Sequence, residues 1–328
     1  MKRRLVKAAD IFFLLRPPLL CASAGFFFLG AISAHRVSTG SYGVSLMLPA
    51  MPNLAIFLSV AGAAFVVNQI FDVRSDAVNR KNFILPSGAV KRTEAWAFAV
   101  ALCVLIAILC RRRDGAFVAL VLSGLALGLA YSVPPFRLKA RPVADLLANV
   151  AGFGWIGFAM GWLAYSDLGS EAIRRSVPYS LAMASIFLNT CIPDEEGDKA
   201  AGDRTTCVAF GRKRVSFAAL ALMSAAAIAA IAVGEPIGAV AALSAIPGLI
   251  AVAVRPSGSY SVVASQIAAW VLLILAGVCA PVLLGIAVLT YLGSRVYYAK
   301  RFGVGYPRLG GAALPENSRP WSSQEDRT

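Results

Sequence analysis

Asn68, Asp72 and Asp76 recur at every fourth position, and Asp194 and Asp198 repeat that interval much later in the chain. In a helix this spacing puts the side chains on one face with a slow drift. Each cluster follows a long apolar run and so stands at the end of a candidate membrane span. Solvated loop acids that merely end two helices are the plainer explanation. Carboxylates at a helix C-terminus oppose the macrodipole, however, and capping gives no reason for them. Acids on one face at span ends are a functional signal by default. The chemistry they suit is the binding of a diphosphate through Mg²⁺. Magnesium takes hard oxygen ligands, keeps waters, and is held by one or two carboxylates together with substrate phosphates. Four aspartates bring about −4, a diphosphate about −3 and a pair of Mg²⁺ ions about +4, which leaves a need for basic groups nearby. Arg80, Lys81, Arg137, Lys139, Lys199 and Arg204 stand on the loops that would surround such a site.

Membrane helices must position these residues. Of 328 residues, 58% are hydrophobic and only 15% charged, too few polar groups to cover a soluble domain of this size. Repeated apolar runs without two-residue alternation mean spanning helices and exclude a barrel. Spans are expected near 11–34, 47–73, 94–110, 116–133, 143–164, 177–193, 214–233 and 236–254. The stretch 260–298 is too long for one ordinary span, and Pro281 either kinks one helix or separates two. The expected fold is therefore all-α, a polytopic bundle of about nine, at most ten, transmembrane helices around a central cavity. Residues 1–304 form this domain, and the Pro-, Gly- and Ser-rich remainder, 305–328, has the composition of a disordered tail.

A net charge of +14 would suit a nucleic-acid partner, but the basic residues sit between spans, as the positive-inside rule requires. With the N-terminus in the cytoplasm, the loops holding Arg74, Arg80, Lys81, Lys91 and Arg92, then Arg137, Lys139 and Arg141, then Lys199, Arg204 and Arg212 to Arg214 all fall inside. Arg36, Arg174, Arg175 and the discordant Arg111-Arg112-Arg113 fall outside. Both acidic clusters follow even-numbered spans and reach the cytoplasmic face together. The basic start, Met1 to Lys7, precedes no short apolar core with a cleavage site, so the first span is expected to be retained. The six cysteines have no metal-ligand or redox spacing, and the single histidine, His35, excludes a histidine-based triad or zinc site.

With these motifs the sequence resembles the UbiA superfamily of membrane prenyltransferases, over roughly residues 10–300. Asn68-x₃-Asp72-x₃-Asp76 is similar to the family's first Asp-rich motif, and Asp194-x₃-Asp198 to the second. Between them, Tyr131-Ser-Val-Pro-Pro-Phe-Arg137-Leu-Lys139 is similar to the tyrosine–lysine segment of the chlorophyll-synthase-like branch, which Pro86-Ser87-Gly88 also fits. The resemblance implies that Asn68, Asp72, Asp76, Asp194 and Asp198 bind Mg²⁺ and diphosphate, and that Tyr131, Arg137 and Lys139 contact phosphate oxygens. An interfacial anchor is the other reading of Tyr131, and positive-inside charge the other reading of Arg137 and Lys139. Two departures stand out. Phe83-Ile84 replaces the Arg-Pro that precedes Pro-Ser-Gly in that branch, leaving Arg80 or Lys81 to substitute, and Cys191 stands where tocopherol-type members have an extra aspartate.

The implied mechanism starts from a polyprenyl diphosphate lying between helices and open to membrane lipid. Mg²⁺ and basic residues stabilise the departing diphosphate, and an aromatic wall shields the allylic cation until a lipophilic or aromatic acceptor attacks. Phe153, Trp155 and Trp162 are candidate wall residues, with core packing as the alternative for each. Arg16 would hold an anionic acceptor or merely flank the first span. Asp145 and Asn149 would handle the acceptor's proton, or Asp145 would pair with Arg141. A terpene cyclase of the same superfamily would share the ionisation. A cation or lipid transporter would instead place its acids near the midplane, whereas here they lie at span ends.

Overall fold

The computed structural model of the chain describes residues 2–42, 47–78 and 82–307. Among the described residues there are helices and no strands. An opening helix, α1 (Lys2–Phe13), precedes α2 (Pro17–Thr39), α3 (Met51–Val78), α4 (Arg92–Cys110) and α5 (Gly115–Ser132). Next comes a composite helix of α6 (Ala144–Asn149), a π-helical segment (Val150–Gly157) and α7 (Phe158–Trp162). The chain continues through α8 (Ser170–Cys191), the short α9 (Glu195–Ala200) and α10 (Thr206–Phe210), and then α11 (Arg212–Ala232), α12 (Pro236–Val254), α13 (Gly258–Cys279) and α14 (Pro281–Phe302).

Eight of these helical stretches are long and apolar enough to cross a membrane, α2 to α5 and α11 to α14. The chain is thus an integral, multi-pass membrane protein. The two other expected spans do not meet that measure. The composite helix is divided into three pieces, and α8 carries Glu171, Arg174 and Arg175 in its first turns. Both nevertheless pack inside the bundle, where Ala159, Trp162, Tyr179 and Leu188 are buried.

Three boundaries become sharper than the sequence expectation. The first span begins at Pro17, because two prolines open α2 and Arg16 before them takes a left-handed φ of 54°. Residues 11–13 belong to α1. The long apolar stretch 260–298 is two helices: α13 ends at Cys279, and Pro281 occupies the first position of α14, where its missing N–H costs nothing. Residues 305–307, expected in the tail, are packed, with the Tyr306 ring 5.0 Å from that of Tyr298 and Pro307 on the wall of the central cavity. The rest of the expected tail, 308–328, lies outside the described residues.

Small residues let the inner helices approach closely, as membrane packing requires where burial from water gives no drive. A Cβ on Gly161 of α7 would stand 1.9 Å from the Phe27 carbonyl oxygen, and one on Gly30 of α2 equally 1.9 Å from that of Phe158. The crossing of α2 and α7 therefore needs glycine on both sides. The π segment beside it widens the helix by one residue per turn, a distortion that often marks functional sites, and it brings Gly152, Phe153 and Ile156 onto the cavity wall.

Candidate active site

A cavity of about 790 Å³ runs from the acidic end of the bundle into its interior. On its wall the structure brings together Asn68, Asp72 and Asp76 from α3, Tyr131 from α5, Lys139 from the following loop, and Asp194 and Asp198 at α9. The chain reaches this arrangement through local geometry. The four-residue interval on α3 turns its three polar side chains to one side, where Asn68 Nδ2 donates to Asp72 Oδ2 at 2.9 Å and to Ser132 Oγ at 3.2 Å. On α9 the Asp198 amide donates to the Asp194 carbonyl at 2.9 Å, so one helical turn stacks the two carboxylates.

Lys139 is the central cation. Its ammonium donates to Asp72 Oδ1, and the two side chains are only 11% and 12% exposed, so water screens the pair weakly. Burial pushes the Lys139 pKa below the ordinary lysine value, while Asp203 and Asp198 act in the opposite direction. Asp76, 7% exposed, accepts from Asn82 Nδ2 at 2.9 Å.

Two loops meet here and are tied together. Arg137 pairs with Asp203 at 3.0 Å, the Val143 amide donates to Thr206 Oγ1 at 2.8 Å, and Asp145 accepts from the Thr206 amide at 2.8 Å and from its hydroxyl. Asp145 therefore does not pair with Arg141, which donates to the Pro135 carbonyl at 2.7 Å. Asp145 is 1% exposed, and its carboxylate holds the start of α10. Tyr131 is a cavity residue, its hydroxyl accepting from Asn149 Nδ2 at 3.2 Å.

Other expected residues stand elsewhere. Arg137 lies behind the wall and reaches the site through Asp203. Lys199 and Arg204 are exposed and outside the wall. Lys199 follows Asp198 by one residue, about 100° round the helix, so the turn that aims the aspartate inward aims the lysine away. Arg80 and Lys81 lie outside the described residues. Phe83 and Ile84, which replace the branch's Arg-Pro, are buried at 4% and 1%, and the Phe83 ring packs 5.8 Å from Phe302. That position has become an apolar anchor.

Farther in, the wall turns apolar and aromatic. Phe153 contributes to it, with Phe26, Phe57, Phe65 and Trp270. Trp155 packs against the core, and Trp162 is 1% exposed and donates to the Asp167 carbonyl at 3.0 Å. Arg16 also lines the cavity, its guanidinium 6.0 Å from the Phe65 ring centre. Sequence reasoning missed Asp203 as a wall residue, although it extends the second acidic cluster. It also missed Gln266 and Trp270, whose four-residue spacing on α13 puts both on one face.

Among the described residues no three carboxylates, imidazoles or thiols already close on a common point. The donor set nevertheless fits Mg²⁺, which needs only one or two carboxylates and completes its shell with water and phosphate. Structural zinc is typically held by a tight nitrogen and sulfur cage, and none is formed among the described residues.

Comparison with known proteins shows the family. The model of the UbiA prenyltransferase family matches residues 19–257. A digeranylgeranylglyceryl phosphate synthase of Methanoregula boonei is 33% identical over 236 residues, 68% of this chain and 76% of that protein. A probable homogentisate phytyltransferase 2 of Oryza sativa subsp. japonica is 31% identical over 57% of this chain, which spans about half of that relative's length (52%). Among solved structures, a UbiA homolog from Archaeoglobus fulgidus bound to DMAPP and Mg²⁺ superposes with a TM-score of 0.64 at 19% identity, covering 85% of this chain and 99% of that one. At such identity the likeness concerns the fold alone.

Proposed function

The chain belongs to the UbiA prenyltransferase family, and on that premise we propose that it transfers a prenyl group from a polyprenyl diphosphate to a lipophilic or aromatic acceptor. The observation that carries this reading is the single cavity shared by both acidic clusters, Lys139 and an aromatic interior. It gives a charged mouth for a diphosphate and a greasy interior for its chain.

Asp72, Asp76, Asp194 and Asp198, with the Asn68 amide oxygen, would hold Mg²⁺. The ion, when bound, supplies positive charge to the leaving diphosphate. Lys139 would donate to phosphate oxygens, moving from Asp72 by a change of rotamer. Arg137 and Asp203 fix the loop that carries Lys139. Phe65 and Phe153 would present ring faces to the allylic carbon as its C–O bond breaks, and the apolar wall would exclude the water that would otherwise quench the cation. The acids lie at the end of the bundle, where a headgroup-level diphosphate reaches them, and not at its middle, where a transporter would couple ions. Purified protein incubated with Mg²⁺, prenyl diphosphates of several lengths and a panel of phenolic and lipid-alcohol acceptors should release diphosphate and form prenylated product. Diphosphate release should stop when the metal is chelated. Intact diphosphate under every condition, or metal-independent release, would sink the reading.

We place the acidic end in the cytoplasm because its helix ends and loops carry Arg74, Arg92, Arg137, Lys139, Arg141, Lys199 and Arg204. A cysteine introduced at exposed Lys199 in a variant lacking exposed Cys103 should resist membrane-impermeant maleimide in intact cells and react after permeabilisation. Labelling in intact cells would place that end outside.

A further inference from the structure

Helix α1 lies across one end of the bundle. Lys7 Nζ donates to the Ala89 carbonyl at 2.9 Å and pairs with Glu94 at 2.5 Å, at the start of α4. Three residues later, Asp10 accepts from the Tyr297 hydroxyl at 2.7 Å and pairs with Arg301 at 3.0 Å, at the end of α14. Phe13 stacks on Tyr297 with ring centres 3.8 Å apart. A single short helix thus ties the first turn of one span to the last turn of another. The same end carries the first acidic cluster, since Arg92 of α4 donates to the Ile70 carbonyl of α3 at 3.2 Å, two residues before Asp72.

The face of α1 turned to the bundle is satisfied, with Asp10, Phe13 and Leu14 buried. The other face is not. Leu5 is 64% exposed, Phe12, seven residues on and so on the same face, is 53% exposed, and Arg4 beside Leu5 is exposed. By sequence, Lys2 and Arg3 add two further cations to the same helix. Both acids within reach are already engaged, Asp10 by Arg301 and Glu94 by Lys7. The helix therefore presents apolar side chains and an excess of positive charge at the level where a bundle of spans emerges from the bilayer. An interfacial helix has this composition: its apolar residues enter the headgroup–acyl boundary while its cations meet lipid phosphates.

We propose that α1 is an interfacial docking helix for an anionic lipid leaflet, with Leu5 and Phe12 inserted below the headgroups and Arg4 at their phosphates. Charge complementarity selects this occupant, because a neutral leaflet offers nothing to a basic helix start and a protein partner would need acids of its own to meet it. Arg16, on the cavity wall, follows α1 by three residues, so the leaflet would order the segment that leads directly into the cavity.

The test is amide hydrogen exchange of residues 2–13 in the full-length protein, reconstituted in nanodiscs of phosphatidylcholine alone or mixed with phosphatidylglycerol. Exchange in α1 should be slower in the anionic discs by about fivefold or more, the scale of one to two basic residues at a charged surface. High salt should erase that difference in the unmodified protein. The K2E/R3E/R4E variant should lose it too, with exchange in α2–α14 unchanged. L5S/F12S should exchange faster in both lipids. Equal exchange in the two lipids, or a difference that survives both salt and charge reversal, would overturn the proposal. The salt arm needs no substitution, so a poorly folding variant does not blunt the result.

Discussion

Asp72→Asn and Asp198→Asn are each expected to lower turnover per folded molecule by a factor on the order of a hundred to a thousand. Both carboxylates line one cavity, yet they come from helices far apart in sequence. Each substitution keeps size and hydrogen-bonding capacity while removing one charge directed at the metal–diphosphate assembly. If both carboxylates act on the same departing group, the double variant should be little worse than either single one, because groups that work as a unit fail together. Asp72→Asn should also lower thermal stability somewhat, since Lys139 loses its partner. Glu196→Gln is the matched control: it lies two residues from Asp194 but outside the cavity wall, with a side chain 84% exposed that pairs with Arg212. Its rate should stay within about twofold, as for surface pairs in general. Near-normal turnover in Asp72→Asn or Asp198→Asn, or an equal loss in Glu196→Gln, would show that the acids are ordinary loop charge.

The sequence disclosed the acids and the class of fold because both rest on simple periodicities. Spanning runs are long enough to read by composition alone, and a four-residue interval projects to one face whether or not the helix is seen. What stayed hidden depends on how separate loops meet. Asp145 has Arg141 four residues before it, a spacing that suggests a pair, but the folded chain offers it the Thr206 amide instead, from a loop sixty-one residues away. Lys199 and Lys139 look alike as flanking lysines, and only the turn of α9 and the tie from Arg137 to Asp203 separate the exposed one from the buried one. The aromatic wall was legible in kind but only partly in membership: Phe153 faces the cavity as expected, whereas Trp155 and Trp162 pack into the core, and Trp270 stands on the wall instead. Helix α1 was merged with the first span because its apolar residues run into those of α2. The break is written in Arg16-Pro17-Pro18.

Lys139→Met should cost both stability and turnover, and a second substitution should recover only the first. The methionine keeps the length of the lysine stem but strands Asp72 as a weakly screened carboxylate whose remaining described donor is Asn68. Removing one member of a buried ion pair costs about 3–5 kcal/mol, and residual exposure at the mouth reduces that here to about 1–3 kcal/mol. Thermal unfolding in detergent or nanodiscs should show this as a clear fall in Tm. Replacing both partners, as Lys139→Met with Asp72→Asn, removes the stranded charge and should return Tm most of the way to the parent, because a neutral pair of similar volume needs no compensation. Turnover should behave differently. If Lys139 donates to the leaving diphosphate, its loss should slow the reaction by on the order of a hundredfold, and the double variant should stay at that level or below. The KM for prenyl diphosphate should rise as well, since the same ammonium binds the ground state. Lys139→Arg should keep the charge but present a planar fork where a compact ammonium fits, and should retain part of the rate. If the double variant recovered turnover along with Tm, Lys139 would be only the counter-ion of Asp72. Its place on the cavity wall would then be structural.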